Sequence, residues 1–284
     1  PRARRVHLPR KALFALRHPR AARLARAHRS SAVRLASLPS VIAGALGLDE
    51  AGVASRMHYV EHHPAHLASA FFASGFDESA VCAIDGFGDF VSTSWGFGSG
   101  ERLDVSHRTF FPHSLGLLYL AVTQYLGFPH YGDEFKVMGL APYGQPRHVD
   151  KLAQLVHLGP DGTFELALEY FRHWDGTVAM TWDDGEPRVS AVWAPPLEAL
   201  LGPARAPDAP LESRHEDLAA SLQAFFEQAV FHVLRGVYAR HPHDRLCLAG
   251  GCAMNSVANG KIRSETPFKE IYVQPAAGDN GTAL

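Results

Sequence analysis

The sequence predicts an α/β protein with two lobes and a cleft between them, and three observations lead to this prediction. The chain has 284 residues, of which 46% are hydrophobic and 20% charged, so it has the material for a large folded core. Apolar runs of strand length alternate with runs of helical period. Single cores stop growing near roughly 250–300 residues, so a division into two lobes fits this length.

The cysteine pattern and the apolar runs exclude several classes of protein. Cys82, Cys247 and Cys252 have no regular spacing, which argues against a disulfide framework or a zinc ribbon. No apolar run approaches the roughly 20 residues of a membrane span. The N-terminus is basic but lacks the apolar stretch of a signal peptide. We therefore expect a cytoplasmic protein with no membrane segment.

Charge is distributed unevenly along the chain. Residues 1–40 hold 11 of the 27 Lys and Arg residues and no acidic residue, so the rest of the chain carries 16 basic against 29 acidic residues. Such a basic arm fits either nucleic-acid binding or a solvated helical face that contacts another domain. Few aromatic residues interleave with the basic ones, so we do not expect nucleic-acid binding.

Four elements are predicted in the N-terminal part. Helical spacing predicts helices over residues 11–29 and 32–46. Residues 57–60 have the pattern of a short strand. A further helix is predicted over residues 65–74, because Pro64 suits the first helical position.

The next segment predicts a hairpin followed by a third strand. Residues 80–85 and 91–97 are apolar runs of strand length, and a glycine turn at Gly86 and Gly88 is expected to join them. The third strand is predicted over residues 103–110. A helix over 115–127 and a polar, glycine-bearing loop over 132–139 follow, and residues 160–212 are expected to be an elaboration outside the core.

The C-terminal part predicts the longest helix and a strand–glycine–helix unit. Apolar residues form one stripe along residues 215–240. A strand over 245–249 leads to Gly250 and Gly251, and then come a helix over 255–263 and a strand over 270–273. A strand, two glycines and a helix N-terminus are typical of a place where a nucleotide approaches the backbone.

A cluster of histidines is the first candidate site. Imidazoles stand at His62, His63 and His66, and neutral imidazole is the commonest side-chain metal ligand. With Pro64 starting the helix, His66 would lie in its first turn and His62 just before it. A hydrogen-bonded, helix-capping pair is the alternative. The glutamate of a zincin motif is absent, because Glu61 precedes the cluster.

Three aspartates can complete a metal site. Asp85 and Asp89 flank the predicted glycine turn, and Asp279 stands in a short glycine-bearing segment. Turn chemistry explains Asp85 equally well, and helix capping explains Asp279. Carboxylates together with imidazoles form a mixed nitrogen and oxygen set that suits Fe(II), Mn(II) or Zn(II), and the spacing does not choose between them.

A nucleotide site is the second candidate. Gly250 and Gly251 admit close approach of a ligand to the backbone, and Asn255 can bond a ribose or a base. Lys136, between Gly132 and Gly139, offers a cation for phosphate, although an isolated loop lysine is usually solvated.

These residues occur in segments that resemble the carbamoyltransferase family that includes the nodulation protein NodU and the cephamycin enzyme CmcH. The run KVMGLAPYG at residues 136–144 is the most specific match. The matching segments follow the family's order and are residues 61–70, 85–89, 93–96, 112–119, 134–144, 248–255 and 278–281.

The resemblance implies a two-lobed fold of the actin/hexokinase/Hsp70 (ASKHA) type. It also implies a carbamoyl-transfer reaction. In this family a separate YrdC-like domain makes carbamoyl-adenylate from carbamoyl phosphate and ATP. The domain that resembles this chain transfers the carbamoyl group to a hydroxyl of a small-molecule or sugar acceptor, as in antibiotic biosynthesis. The transferase domain is expected over residues 57–284, and residues 1–56 are expected to be a basic helical segment of the first lobe.

The resemblance also implies roles for particular residues. His66, Asp89 and Asp279 match the family's metal ligands, with His62 a fourth, and the expected metal is Fe(II). His66, Asp85 and Asp89 are the expected catalytic residues. In this mechanism the metal polarises the carbonyl, and a carboxylate such as Asp85 helps to deprotonate the acceptor hydroxyl.

Two features of the family's pattern are not found in this sequence. The usual first hairpin with an early aspartate is missing, and nothing follows Leu284, where the YrdC-like domain would come. The chain has no initiator Met, so we expect a fragment that is incomplete at both ends. Two alternatives stay open: a threonylcarbamoyl-type transferase acting on tRNA, and a nucleotide-binding module that only hydrolyses ATP or has no catalysis.

Overall fold

A computed structural model of the chain describes residues 2–19, 35–183 and 186–283. The chain divides into two compact units. The first comprises residues 1–61 and 174–177, and the second comprises residues 62–173 and 178–284. The predicted domain boundary after residue 56 stays a prediction. None of the helices in the described part of the chain is both long and apolar enough to cross a bilayer.

The first unit is helical in its described part. It contains α1 (Arg2–Arg17), α2 over residues 35–46 and α3 (Glu50–Arg56). The helix predicted over 32–46 is confirmed from residue 35, whereas residues 20–34, which complete both predicted helices and much of the basic arm, lie outside the described residues. The strand predicted over residues 57–60 is wrong: the segment pairs with no described strand, and Tyr59 and Val60 are exposed rather than packed.

The second unit combines a mixed sheet with helices. Its helices are α4 (His62–Phe71), α5 (Leu115–Tyr125), α6 (Glu134–Leu140), α7 (Val149–Leu152), α8 (Pro196–Leu201), α9 (Ser213–Arg240), α10 (Ser256–Asn259) and α11 (Ile262–Glu265). Its strands are β1 (Glu78–Gly88), β2 (Val91–Ser99), β3 (Arg102–Phe110), β4 (Val156–Leu158), β5 (Phe164–Leu166), β6 (Met180–Asp183), β7 (Glu186–Val189), β8 (Arg245–Ala249) and β9 (Glu270–Val273).

Five of these strands form the main sheet, in the order β3-β2-β1-β8-β9. The strands β1, β2 and β3 pair antiparallel, whereas β1, β8 and β9 pair parallel. The predicted strands over 103–110, 245–249 and 270–273 are confirmed. Two small hairpins, β4–β5 and β6–β7, lie outside this sheet. The prediction that residues 160–212 lie outside the core is nevertheless wrong in part, because Phe164, Val192 and Leu197 are almost fully buried.

Helices cover both faces of the central strand. Leu67 and Phe71 of α4 pack with Val81 and Ala83 of β1 in one buried cluster. Because side chains alternate along a strand, Cys82 points to the opposite face, where it is equally buried. Helices α5 and α9 also contact β1. The predicted long helix is therefore confirmed as a core element.

Several local predictions in this unit are wrong. The helix predicted over residues 255–263 is two short helices, α10 and α11, separated by a turn. Strand β1 continues through the predicted glycine turn, and the chain reverses instead at Asp89 and Phe90, whose φ angles are +52° and +74°. Two successive positive φ values are typical of a tight two-residue hairpin turn. The predicted loop over 132–139 is largely helix α6, because Val137 is fully buried and α6 packs against α9.

Candidate metal centre and adjoining cavity

Helix α4 places two imidazoles side by side. It begins at His62, because the Asp89 carboxylate accepts a hydrogen bond from the His62 backbone N–H at 2.9 Å. The predicted start at Pro64 is wrong; a proline is tolerated in the first turn, where backbone N–H groups have no helical partner. His62 and His66 are thus one turn apart on one helix, and their Nε2 atoms lie 3.0 Å from each other.

Two carboxylates meet these imidazoles from other parts of the chain. Asp85 Oδ2, on β1, lies 3.0 Å from His62 Nε2 and 3.5 Å from His66 Nε2. Asp279 Oδ1, in a short 3₁₀ helix near the C-terminus, lies 3.5 Å and 3.4 Å from the same two atoms. The four potential ligand atoms all lie within 4.8 Å of one another. We call these four residues the His–Asp cluster.

The chemistry of the His–Asp cluster fits a divalent cation. Two carboxylate oxygens and two imidazole nitrogens converge, and such lone-pair-bearing atoms come this close when a proton or a cation lies between them. A mixed nitrogen and oxygen set suits divalent first-row metals. His66 is fully buried, whereas the Asp279 side chain is 75% exposed, so the cluster is buried on one side and open to solvent on the other.

The same groups shift each other's protonation. The hydrogen bond that His62 donates to Asp85 raises the pKa of His62 above its usual value, although burial opposes the shift. Burial would raise the pKa of Asp85, but hydrogen bonds from His62, His66 and the Gly86 backbone outweigh it and hold that pKa well below its usual range. The cluster therefore holds negative charge that either a proton on His62 or a metal ion offsets.

Asp89 lies outside the His–Asp cluster. Its carboxylate caps helix α4 through the His62 backbone, and the carboxylate that lies beside the two imidazoles is that of Asp85. Gly88, just before Asp89, packs closely on the helix, because a Cβ atom there would lie 2.0 Å from the His62 ring. The strand end thus passes directly beneath the imidazole and leaves room only for glycine.

Removing the Asp89 side chain is expected to weaken the start of α4. The variant Asp89→Ala loses the cap and places alanine at a positive φ, so we expect the free energy of unfolding to fall by about 1–2 kcal/mol. Urea unfolding followed by circular dichroism measures this change. Asp89→Asn, which keeps a cap oxygen and tolerates the positive φ, should lose much less; an equal loss in both variants would contradict the capping role.

His63 lies beside the cluster on α4 but bonds the backbone, and it makes the fold sensitive to acid. It is buried, its Nε2 lies 2.9 Å from the Val91 carbonyl oxygen, and burial lowers its pKa from 6.5 to about 4. Protonation therefore favours the unfolded chain. We expect its contribution to be complete above pH 6.5 and to be lost as the pH falls toward 4, by up to about 3 kcal/mol.

Urea unfolding of the metal-free protein at about pH 7 and about pH 4.5 measures this loss. His63→Gln removes the titrating ring and should show a smaller difference between the two pH values. Identical pH dependence in both proteins would show that another group titrates.

A cavity of about 380 Å³ adjoins the cluster, and Asp85 and Asp279 both line it. Most of the other lining residues are apolar or aromatic. The wall comes from the end of β1, from α5 and α6, from α9 and from the loop after β8: Gly86, Phe87, Gly116, Leu117, Tyr119, Leu120, Tyr131, Gly132, Glu134, Phe135, Met138, Phe226, Gly251, Cys252, Met254 and Asn255. Such a lining suits a flat, largely apolar group.

The predicted nucleotide residues separate into two groups. Gly251 and Asn255 line the cavity, and the Gly251 backbone N–H donates to Asp85 Oδ1 at 3.1 Å. Gly250 lies beside β1, where its backbone N–H donates to the Ala277 carbonyl oxygen at 2.8 Å. Lys136 does not line the cavity; its ammonium pairs with Asp133 at 2.7 Å.

Three cavity residues were not singled out from the sequence. Tyr119, Tyr131 and Glu134 bring polar atoms to an otherwise apolar wall. Burial raises the pKa of each of these side chains. The sequence signal that could have identified them is their position: Tyr119 and Glu134 lie within segments that resemble the family, and Tyr131 lies just before one.

Comparisons with known proteins give one consistent result. A family model described as Carbamoyltransferase N-terminus matches residues 41–284. An uncharacterized protein of Synechocystis is 46% identical over 226 residues, which cover 79% of this chain and 35% of that protein. The nodulation protein NolNO of Sinorhizobium fredii is 40% identical over 233 residues, which cover 81% of this chain and 30% of that protein.

The matches cover only part of the relatives. The chain spans about a third of the length of these two proteins. Among solved structures, HypF of T. kodakarensis matches with a TM-score of 0.38 at 17% identity, covering 86% of this chain and 36% of that chain. A likeness at that level does not define the fold.

Proposed function

This chain belongs to the carbamoyltransferase family, whose N-terminal part it matches, and from this premise we propose that it forms the transfer site of an O-carbamoyltransferase. The proposed donor is carbamoyl-adenylate, made from carbamoyl phosphate and ATP by a YrdC-like domain of the full-length protein. The proposed acceptor is a hydroxyl group of a small molecule or a sugar.

The observation that carries the proposal is the position of the His–Asp cluster at the edge of the cavity. Asp85 and Asp279 belong to both, so a group held in the cavity lies next to the converging ligand atoms. We propose that His62, His66, Asp85 and Asp279 hold a divalent metal, Fe(II) by the family resemblance. When bound, it supplies Lewis-acid polarisation of the carbamoyl carbonyl and offsets charge on the leaving phosphate.

The cavity residues supply binding and orientation. The apolar wall of the cavity includes Tyr131, in the loop before α6, and Phe135 on α6. This wall would hold the flat part of the adenylate and exclude water from the reacting carbonyl. Gly251 and Asn255 remain in this proposed nucleotide site. Lys136, which pairs with Asp133 outside the cavity, is left out of it.

The proposed proton acceptor is Glu134 rather than Asp85. Asp85 contacts the Gly251 N–H through Oδ1 and both imidazoles through Oδ2, so it is suited to holding the metal. Glu134 lines the cavity and lies outside the His–Asp cluster, and burial raises its pKa. A raised carboxyl pKa favours acceptance of a proton from an alcohol.

The fold proposal follows from the sheet. Three antiparallel strands followed by two parallel strands, with helices between them, are consistent with one lobe of the ASKHA type that the family resemblance implies. We infer that this sheet belongs to such a lobe.

Mass spectrometry of carbamoylated products tests the function. The full-length protein is given synthetic carbamoyl-adenylate and Fe(II), and hydroxylated acceptors are screened for the added mass of one carbamoyl group. The matched control is each acceptor with its reactive hydroxyl methylated. We expect product from the free hydroxyl only, and loss of product when a chelator is added. Product formation that ignores the chelator would contradict the metal-assisted mechanism.

A further inference from the structure

A chain of polar side chains, four of them buried and one half-exposed, leads away from the cavity wall. Tyr119 on α5, Gln223 and Glu227 on α9, and Asn255 just before α10 are each only 5–9% exposed, and Lys261 joins them from the start of α11. We call these five residues the polar network. Tyr119 and Asn255 line the cavity, whereas the other three do not.

Charge at one end of the polar network fixes the direction of its hydrogen bonds. Lys261 Nζ lies 2.7 Å from Glu227 Oε2, and Glu227 Oε1 accepts a hydrogen bond from Gln223 Nε2 at 3.0 Å. A carboxylate only accepts hydrogen bonds, so the nitrogen of the Gln223 amide must face Glu227. The Gln223 carbonyl oxygen then faces the opposite way, which resolves the ordinary ambiguity of an amide's orientation.

The orientation of Gln223 determines what Tyr119 can do. Gln223 Oε1 accepts from the Tyr119 hydroxyl at 2.9 Å and from Asn255 Nδ2 at 2.9 Å, and Gln223 Nε2 donates to Asn255 Oδ1 at 3.0 Å. Asn255 Oδ1 also accepts from the Ala258 backbone N–H at 3.0 Å, which fixes the Asn255 amide as well. The single proton of Tyr119 is used inside the polar network, so its oxygen can only accept further hydrogen bonds, from the adjacent Asn255 amide or from a donor in the cavity that Tyr119 lines.

We propose that the polar network is a positioning device that makes Tyr119 a hydrogen-bond acceptor at the cavity wall, so that the cavity selects a ligand carrying an O–H or N–H group at that point. This inference rests on the proposed function, in which an adenylate occupies the cavity. Gln223, Glu227 and Lys261 act through Tyr119 and do not contact the ligand themselves.

A merely structural network makes a different prediction. Loss of packing or stability would weaken all ligands alike. Loss of the fixed orientation instead removes discrimination between ligands that differ only in one donor group. The ratio of two affinities therefore separates the two roles.

Calorimetric titration of the full-length protein measures that ratio. The probes are AMP, 2′-deoxy-AMP and purine riboside 5′-monophosphate, of which the last two each lack one donor group of AMP. We expect one of these analogues to bind the wild-type protein roughly tenfold more weakly than AMP, as for the loss of one hydrogen bond. In Tyr119→Phe the difference should shrink to less than about threefold. In Glu227→Gln it should shrink in part, because the Ala258 backbone N–H still orients Asn255 and, through it, Gln223.

Matched controls are available on the same two helices. Tyr125→Phe removes another buried hydroxyl of α5, which bonds the Gly202 carbonyl oxygen away from the cavity. Asp217→Asn changes another carboxylate of α9, which accepts from the Gln145 backbone N–H at 2.7 Å. Both controls should keep the wild-type ratio. If Glu227→Gln fails to fold, Tyr119→Phe, which leaves the Lys261–Glu227 pair intact, decides the outcome alone.

The outcomes are distinct. Analogues that bind the wild-type protein as tightly as AMP overturn the selection of a donor, and a difference that persists in Tyr119→Phe and Glu227→Gln overturns the role of the polar network. Either result leaves the proposed function standing. Absence of AMP binding to the wild-type protein overturns the proposed occupant of the cavity, and this inference with it.

Discussion

Replacement of Asp85 by asparagine is expected to lower the affinity of the protein for Fe(II) by on the order of 100-fold or more, whereas the same replacement at Asp89 leaves the affinity within about threefold of wild type. Asp85 Oδ2 lies within 3.5 Å of both imidazole Nε2 atoms, and asparagine offers only a neutral amide there. Asp89 only caps α4 through the His62 backbone, and asparagine keeps a cap oxygen.

Anaerobic Fe(II) titration followed by metal analysis measures both affinities. The two variants make the same chemical change four residues apart, so they control for each other. Circular dichroism confirms that each variant is folded. Loss of Fe(II) in Asp89→Asn with retention in Asp85→Asn would overturn the assignment of the His–Asp cluster.

Replacement of Gly250 by alanine is expected to destabilise the protein by about 3 kcal/mol or more. The φ angle of Gly250 is +89°, a region that side chains other than glycine rarely adopt, and a Cβ atom there would lie 2.3 Å from the Ile84 carbonyl oxygen. This backbone is central to the sheet, since the neighbouring Ala249 pairs with Ala83 of β1. The loop after β8 would have to move away from the cavity.

Urea unfolding of Gly250→Ala and Gly260→Ala provides the comparison. Gly260 is exposed at the end of α10 with a helical φ of −61°, and the nearest atom to an added Cβ is 3.5 Å away. We expect Gly260→Ala to change the free energy of unfolding by less than about 1 kcal/mol. Equal effects of the two changes would show that the loop after β8 relaxes freely.

The elements with strong periodicity could be predicted from the sequence. The long stripe of α9 and the apolar strands β8 and β9 agree with the structure because burial imposes those patterns directly. Helix α6 could not be predicted, because Gly132 and Gly139 suggest a loop. The segment is helical because it packs against α9, a contact that the local sequence does not reveal. The strand predicted at residues 57–60 has the right local pattern but finds no partner strand among the described residues.

The sequence also could not show which of Asp85 and Asp89 lies beside the two imidazoles. Strict alternation along β1 would put both on one face of the sheet. The pairing of β1 with β2 shifts between Ile84 and Gly88, and Asp89 lies in the turn, so the alternation breaks between the two aspartates. The convergence of His62, His66 and Asp279 was implied by the resemblance, whereas the start of α4 depends on Asp89, which lies 27 residues along the chain from His62.

The dependence of carbamoyl-adenylate consumption on Fe(II) concentration tests the proposed metal-assisted transfer most directly. The full-length protein is compared with Asp279→Asn, whose side chain is exposed enough for the change to spare the fold. We expect a saturable rate that a chelator abolishes, and a half-saturating Fe(II) concentration at least about tenfold higher in Asp279→Asn. A rate that is indifferent to the chelator, or the same Fe(II) dependence in both proteins, would contradict a metal held by the His–Asp cluster.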